Sequence, residues 1–113
     1  MINKSTFKLS IIIPCYNEKN TIKQILNKVV ESLNYYKFSK YEIIVVDDCS
    51  TDGTKEILKE INHISNFRLI LHEENNGKGF AVKTAIEKVT GDIVLIQDAD
   101  LEYDPFDYNK LLL

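Results

Sequence analysis

The 113-residue sequence predicts an α/β fold, a mostly parallel sheet with helices on both faces, built as a single domain. Short runs of aliphatic residues recur along the chain and indicate buried strands. Segments with apolar residues at helical spacing separate these runs. Polar loops follow the strands, as they do at the ligand-binding edge of doubly wound sheets. Because strands that alternate with helices are joined by right-handed crossovers, the strands are expected to be parallel.

The first predicted strand covers residues 9–13 and stops at Pro14, which lacks the N–H group that a sheet ladder uses. After a polar segment, Asn20 is predicted to cap a helix. The apolar positions of this helix recur every three or four residues: Ile22, Ile25, Leu26, Val29, Val30 and Leu33. The helix is therefore expected to cover one face of the sheet.

The remaining strands are predicted at residues 42–46, 68–72 and 92–97. A short helix is predicted around Ile57, Leu58 and Ile61. A longer helix is predicted over residues 80–89, with an inner face formed by Ala81, Val82, Ala85, Ile86 and Val89. Asp104 followed by Pro105 predicts one further helix start. Because the sequence stops about two turns later, at Leu111–Leu113, we expect the chain to be the front part of a longer protein.

The composition, with 44% hydrophobic and 27% charged residues, is that of an ordinary globular domain. Fourteen Lys and Arg against seventeen Asp and Glu give a net charge of −3, so no overall positive field attracts nucleic acid. No apolar run approaches the ~18 residues of a membrane span, and residues 1–13 make a poor signal peptide. We therefore expect a cytoplasmic location, with Cys15 and Cys49 reduced. His63 and His72 lack ligand spacing and are interpreted as surface or packing residues.

The acidic residues are unevenly distributed, since six of the seventeen fall between Asp92 and Asp107, where no Lys or Arg occurs. Asp98 and Asp100 follow the fourth predicted strand, and in an extended segment their side chains point the same way. Two such carboxylates repel each other unless a cation or proton lies between them. Glu102 adds oxygen ligands of the kind that suit Mg²⁺ or Mn²⁺. The residues alone leave two interpretations open, a divalent metal site and a solvated acidic loop.

Other polar residues at strand ends are candidates for binding a nucleotide. Asp47 and Asp48 follow the second strand, where a carboxylate can accept hydrogen bonds from a base or ribose. The alternative is that they cap the next helix, but Asp52 and Gly53 already supply a cap and a turn, which leaves the pair without an obvious structural role. Tyr16 is either a flat face for a base or a partly buried loop residue.

Lys78 lies between two glycines at a predicted helix start, where backbone N–H groups and the helix dipole favour an anion. The segment resembles a phosphate loop but lacks the G-x-x-x-x-G-K-[ST] spacing, and the first strand lacks G-x-G-x-x-G. These absences argue against an ATPase or a dehydrogenase.

Four motifs follow one another along the chain: IIPCYNE at 12–18, VVDDCSTDGT at 45–54, NGKG at 76–79 and GDIVLIQDADLE at 91–102. In this order they resemble the inverting family 2 glycosyltransferases with a GT-A fold, particularly the polyprenyl-phosphate (dolichyl-phosphate) sugar synthases. The resemblance runs from Leu9 to Leu112. It implies that residues 1–113 are the Rossmann-like, nucleotide-sugar-binding N-terminal part of a glycosyltransferase domain.

The resemblance also implies roles for individual residues. The nucleotide pocket is expected to involve Pro14, Tyr16, Glu18, Val46, Asp47, Asp48, Lys78 and Asp98. Asp98 and Asp100 match the metal-binding DxD pair, and Glu102 matches a position that also faces the metal in polyprenyl-phosphate enzymes. Cys15 and Cys49 stand where Thr and Gly or Ser are common in the family.

The implied reaction transfers a sugar from a UDP- or GDP-sugar to an acceptor, polyprenyl phosphate or a glycan, with inversion and with Mg²⁺ or Mn²⁺ neutralising the leaving group. In the family, any general base, the acceptor site and the membrane-attached elements lie downstream of residue 113. We therefore expect this chain alone to bind a donor weakly at best and not to turn over, and the full-length protein to associate with the cytoplasmic face of a membrane. Two alternatives are a non-catalytic nucleotide-sugar-binding module and a receiver-like α/β module. A receiver is disfavoured because it needs acidic residues where this chain has Pro14 and Cys15.

Overall fold

The computed structural model describes residues 6–100 and 104–107. Its elements in chain order are β1 (Leu9–Cys15), α1 (Ile22–Tyr35), β2 (Tyr41–Asp47), α2 (Thr54–Lys59), β3 (Phe67–Leu71), α3 (Lys78–Ile86), β4 (Ile93–Ile96) and a 3₁₀ turn (Pro105–Asp107). The described strands form one parallel sheet with the order β3-β2-β1-β4. The predicted α/β fold is confirmed. No helix within these residues is long and apolar enough to cross a membrane.

Helices cover both faces of the sheet, and the alternation of side chains along β1 divides the core between them. Leu9, Ile11 and Ile13 belong to a cluster that includes residues of α1 and α2, whereas Ile12 packs with Ala81 and Ala85 of α3. Every residue of β1 is buried, because the strand is internal and covered on both sides. Each large aliphatic side chain buried in this way contributes about 1.5–3 kcal/mol.

The predicted buried face of α1 is confirmed, with Val30 only partly buried at its margin. The helix begins at Ile22 and its N-cap is Thr21, not Asn20 as predicted. Thr21 makes no side-chain cap hydrogen bond. Its hydroxyl donates instead to the carbonyl of Ala99, at 2.6 Å, which ties the start of α1 to the loop after β4.

β1 continues through Pro14 to Cys15, two residues beyond its predicted end. The paired stretch of β1 and β4 ends at Ile12, whose carbonyl accepts the N–H of Gln97 at 2.8 Å. Alternate residues of a strand direct their backbone groups to the same neighbour, so Pro14 faces the β4 side, beyond this last bond. Cys15 faces β2, where its carbonyl accepts the N–H of Asp48 at 2.9 Å. The missing N–H of Pro14 therefore costs the sheet no hydrogen bond.

The helix predicted over residues 80–89 starts two residues earlier and ends three residues earlier, as α3. Ala81 and Ala85 are its buried residues, and Ile86 is half exposed, so the placement of Ile86 on the inner face is wrong. Successive residues of a helix point about 100° apart. Ile86 comes one residue after the buried Ala85, so its side chain points away from the face that packs on the sheet.

Asp104 acts as the predicted cap. Its carboxylate accepts the N–H of Phe106 at 2.9 Å, at the start of the 3₁₀ turn. The hydroxyl of Tyr36 donates to the carbonyl of Phe106 at 2.7 Å and fastens this turn to the end of α1. Leu111–Leu113, which follow this predicted helix start, lie outside the described residues.

Candidate functional site

A cavity of about 250 Å³ opens at the carboxyl ends of the strands. The sheet order places β4 on the side of β1 opposite to β2, and doubly wound sheets bind ligands at such a change of direction. The cavity is lined by Pro14, Cys15, Tyr16, Glu18, Asp48, Lys78, Ala81, Asp98, Ala99 and Asp100. Residues from each of the predicted site motifs therefore meet at one opening.

The loop after β4 contributes two carboxylates to the cavity. The chain turns at Ala99 and Asp100 and does not stay extended as expected. Asp98 and Asp100 nevertheless line the same space, with the buried Ala99 between them. Asp98 is paired with the ammonium group of Lys78 on α3. Glu102, the third predicted metal ligand, lies outside the described residues.

The donor set on this side of the cavity consists of carboxylate oxygens, which suit a hard divalent cation. No group of three His, Cys, Asp or Glu side chains within residues 6–100 and 104–107 is arranged to hold a metal alone. Mg²⁺ is commonly held by one or two protein carboxylates together with phosphates of a substrate. Asp98 and Asp100 fit that mode, and a cation that binds Asp98 would compete with Lys78 for the carboxylate.

The carboxylate of Asp47 is buried and does not line the cavity. It accepts the backbone N–H of Ser50 at 3.0 Å and its hydroxyl at 2.6 Å. Val46, fully buried in the cluster with Ala81 and Ala85, also lies behind the cavity wall. The structure thus places these two predicted pocket residues beneath the site, and a direct role in nucleotide binding stays a prediction.

The carboxylate of Asp48 lies at the cavity wall and holds the turn before α3. One oxygen accepts the N–H of Asn76 at 2.9 Å and contacts Nδ1 of His72 at 3.0 Å, and the other accepts the N–H of Gly77 at 2.7 Å. Burial raises the pKa of Asp48, but the hydrogen bonds from Asn76, His72 and Gly77 outweigh it and leave the pKa below its ordinary 3.8. At neutral pH the group is therefore an ionised acceptor.

These contacts correct two expectations. The paired acids after β2 were expected to lack a structural role, yet Asp47 organises its own loop and Asp48 organises the next one. The turn before Lys78 was expected to offer its backbone N–H groups to a phosphate. For Asn76 and Gly77 this is wrong, because the anion that they hold is the carboxylate of Asp48.

Polar side chains join the loop after β1 to the loop after β2. Asn17 has a left-handed backbone (φ 52°), and its amide oxygen accepts the N–H of Thr51 at 2.8 Å. Thr54 accepts the N–H of Glu18 at 3.0 Å, beside the rim where Tyr16 is 43% exposed. Sequence reasoning missed the roles of Asn17, Thr21 and His72, because a polar residue outside a helix or strand carries no spacing signal for a partner far along the chain.

Both cysteines are free thiols, as expected for reduced residues. Cys15 is buried under the cavity. Burial, together with the nearby carboxylates of Asp47 and Glu18, raises the pKa of Cys15 to about 12. Its side chain is therefore a neutral packing group, unsuited to act as a nucleophile.

The sequence matches the family model described as Glycosyl transferase family 2 over residues 10–113. Glycosyltransferase AglE of Haloferax volcanii is 40% identical over 93 residues, which cover 81% of this chain and 30% of that relative. The undecaprenyl-phosphate 4-deoxy-4-formamido-L-arabinose transferase of Proteus mirabilis is 32% identical over 107 residues, 93% of this chain and 32% of that relative. The chain thus spans about a third of the length of these curated relatives.

Among solved structures, the mannosyltransferase PcManGT from Pyrobaculum calidifontis, in complex with GDP-Man and Mn²⁺, superposes with a TM-score of 0.76. It is 34% identical, and the match covers 89% of this chain and 30% of that one.

Proposed function

Because the chain belongs to glycosyl transferase family 2, we propose that its cavity binds the nucleotide-diphosphate sugar donor of a glycosyltransferase. Residues 1–113 are then the N-terminal, donor-binding part of a GT-A domain. The observation that carries the proposal is the convergence of Tyr16, Asp48 and Asp98, from three separate loops, on one opening at the switch point of the sheet.

Each wall of the cavity offers a different kind of contact to such a donor. Tyr16 at the rim presents a ring on which a base can stack. Asp48, an acceptor-only carboxylate, suits N–H or hydroxyl donors of a base or ribose. Lys78 is paired with Asp98 at the cavity, and its ammonium group can also pair with a phosphate oxygen. Pro14 and Glu18 complete the wall, while Val46 and Asp47 support it from beneath.

Asp98 and Asp100 are the residues that would hold Mg²⁺ or Mn²⁺, with Glu102 as a further predicted ligand. When bound there, such a cation supplies positive charge that stabilises a departing diphosphate. The GDP-Man and Mn²⁺ complex of PcManGT supports both the class of donor and the metal.

We propose polyprenyl phosphate as the acceptor of the whole protein, attacking the anomeric carbon from the face opposite the leaving group and inverting it. The undecaprenyl-phosphate transferase of Proteus mirabilis supports this choice. A phosphate acceptor is already anionic near neutral pH and needs no general base, whereas a glycan hydroxyl would need one. We place the reaction at the cytoplasmic face of a membrane. The 113-residue chain alone is proposed to bind donor without turnover.

Calorimetric titration of the chain with UDP and with GDP, each in the presence and absence of Mn²⁺, tests the donor site. We expect metal-dependent binding of at least one nucleotide. The substitutions Asp98→Ala and Asp100→Ala should each weaken it about ten-fold or more, because each removes a charged ligand.

Asp104→Ala is the matched control, since it removes an acidic side chain that caps the 3₁₀ turn outside the cavity. It should leave the nucleotide affinity unchanged. A folded chain that releases no heat with either nucleotide, or that binds equally well after Asp98→Ala, would overturn the donor-site proposal.

A further inference from the structure

His72 connects three parts of the molecule that approach the cavity. It directly follows β3, and its backbone N–H donates to the carbonyl of Asp47 at 2.9 Å. Its ring lies 3.0 Å from Asp48 through Nδ1 and 3.0 Å from the hydroxyl of Thr84, on α3, through Nε2. The side chains of His72 and Asp48 are only 10% and 4% exposed. The edge-on ring of Phe80, with its centroid 5.3 Å away, covers the imidazole.

The partners of the ring determine where its proton lies. An ionised carboxylate can only accept, so the contact with Asp48 requires a proton on Nδ1. Thr84 has one hydroxyl proton, which can go either to Nε2 of His72 or to the carbonyl of Phe80, also 3.0 Å away. In the neutral ring Nε2 accepts this proton, and in the charged ring Nε2 donates to Thr84. Nδ1 carries a proton in both states.

The bond from His72 limits the movement of Asp48, and Asp48 in turn holds the turn that leads into α3. The backbone N–H groups of Asn76 and Gly77 both end on its carboxylate. Gly77 has φ 92°, a backbone conformation that residues other than glycine rarely adopt, and the turn makes both bonds to Asp48 in this conformation. The next residue is Lys78, which lines the cavity and pairs with Asp98. Rotation of the Asp48 carboxylate would release this turn.

We propose that His72 is a positioning residue of the cavity: its Nδ1–H orients the Asp48 carboxylate and thereby fixes the Asn76–Gly77 turn that presents Lys78, while Thr84 anchors the opposite side of the ring. The relevance of this arrangement to donor binding rests on the proposed function. The arrangement itself can be tested without any ligand.

Nitrogen-15 NMR of the imidazole of the unmodified chain gives the first test. We expect His72 to carry its proton on Nδ1, with Nε2 protonated as well only when the ring is charged. A neutral ring protonated on Nε2 alone would overturn the proposal, since it could not donate to Asp48.

Three substitutions separate the two ends of the ring. His72→Asn keeps an N–H donor near the position of Nδ1, His72→Gln keeps one near the position of Nε2, and His72→Phe keeps only the ring against Phe80. We expect the amide proton shifts of Asn76 and Gly77 to stay near their parent values in His72→Asn and to move upfield in the other two. Nucleotide affinity with Mn²⁺ should follow the same order, falling about five-fold where the donor to Asp48 is lost.

Thr84→Val is the matched control, because it removes the contact at Nε2 and leaves the contact at Nδ1 in place. It should change the two amide shifts less than His72→Phe does. Equal amide shifts in His72→Asn and His72→Phe, with both proteins folded, would overturn the positioning role. If the parent chain binds no nucleotide while the amide shifts behave as expected, the donor-site proposal fails and the positioning role stands.

Discussion

Single residues in this chain hold backbone conformations that their types do not favour. In the part of the chain that the structure describes, four non-glycine residues have positive φ: Asn17, Lys37, Cys49 and Asn66. Asparagine tolerates the left-handed region because its short polar side chain can bond locally, as Asn17 does with Thr51. Cys49 lacks such an amide, and its thiol instead contacts the carbonyl of Glu73 at 3.4 Å. The loop between β2 and α2 therefore carries strain at this position.

Substitutions at Cys49 should reveal that strain. Its φ of 66° is readily adopted by glycine and is unfavourable for a β-branched residue. We expect Cys49→Gly to leave the free energy of unfolding unchanged or higher, and Cys49→Val to lie about 1–2 kcal/mol below Cys49→Gly. Denaturant unfolding of both variants measures the difference. Equal stabilities would show that the loop relaxes out of the left-handed conformation.

The residues of the candidate site were predictable by type and position, but their partners were not. Charged and aromatic residues after short aliphatic runs indicated a site at the strand ends, and Tyr16, Asp48 and Asp98 do line one cavity. That Asp48 would hold the amides of Asn76 and Gly77 was not predictable, because those bonds join positions 28 and 29 residues apart. Sequence periodicity reports which face is buried and carries no information on such polar pairs.

At the scale of elements, the segment that leads into β4 packs closely against β1 at Gly91. A Cβ atom added to Gly91 would lie 2.3 Å from the hydroxyl oxygen of Ser10 and 2.9 Å from the carbonyl oxygen of Lys8. The N–H of Gly91 also donates to the hydroxyl of Ser10 at 2.9 Å. The segment entering β4 must therefore lie directly against the backbone of β1.

Gly91→Ala should destabilise the chain by about 1–3 kcal/mol, because the added methyl group forces β1 and the segment before β4 apart. Gly79→Ala is the control, since nothing lies within 4 Å of a Cβ atom at that position of α3 and alanine favours a helix by about 0.5–1 kcal/mol. Thermal unfolding of the two variants should give shifts of opposite sign. A Gly91→Ala protein as stable as the parent would contradict this close contact.

Element positions followed from the sequence more reliably than element ends. Each predicted strand has a counterpart in the sheet, since runs of β-branched residues suit a surface buried on both faces. The start of α1 was misplaced because the hydroxyl of Thr21 bonds Ala99, which is 78 residues away, and makes no local cap. The end of β1 was misplaced because a proline removes a hydrogen bond from the sheet only where the neighbouring strand still pairs. β4 stops pairing with β1 at Ile12, so β1 can continue through Pro14.

At the scale of the whole molecule, ionised carboxylates accept hydrogen bonds at both ends of the strands, Glu42 near the amino ends and Asp48 at the carboxyl ends. Glu42 is the second residue of β2 and lies at the end of the strand away from the cavity. Its carboxylate accepts the hydroxyl of Ser10 and the backbone N–H of Thr90, both at 2.6 Å. Burial raises the pKa of Glu42, but these hydrogen bonds and the charge of Lys8 leave it below the ordinary 4.5. At the carboxyl end of β2, hydrogen bonds likewise outweigh burial and leave the pKa of Asp48 below its ordinary value.

Lowered carboxyl pKa values make the fold sensitive to acid. The unfolded chain binds more protons than the folded chain as these groups titrate, so the stability that they contribute is present above pH about 4.5 and is lost as the pH falls through the folded pKa values. We expect the free energy of unfolding, measured with urea between pH about 3 and 7, to decline below pH about 4.5. Glu42→Gln should lower stability near neutral pH and make that decline shallower. An unchanged slope in this variant would show that Glu42 titrates alike in both states.

Pro14 lies where the pairing of β1 with β4 has ended and the cavity begins. Beyond Ile12 a further rung between β1 and β4 would require an amide hydrogen from residue 14, and the pyrrolidine ring has none to offer. β1 and β4 are not paired beyond this point, and Tyr16 and Asp98, which follow the two strands, both line the cavity. Proline suits this end of the ladder, because its missing N–H group leaves no unpaired backbone donor on the β4 side of the cavity.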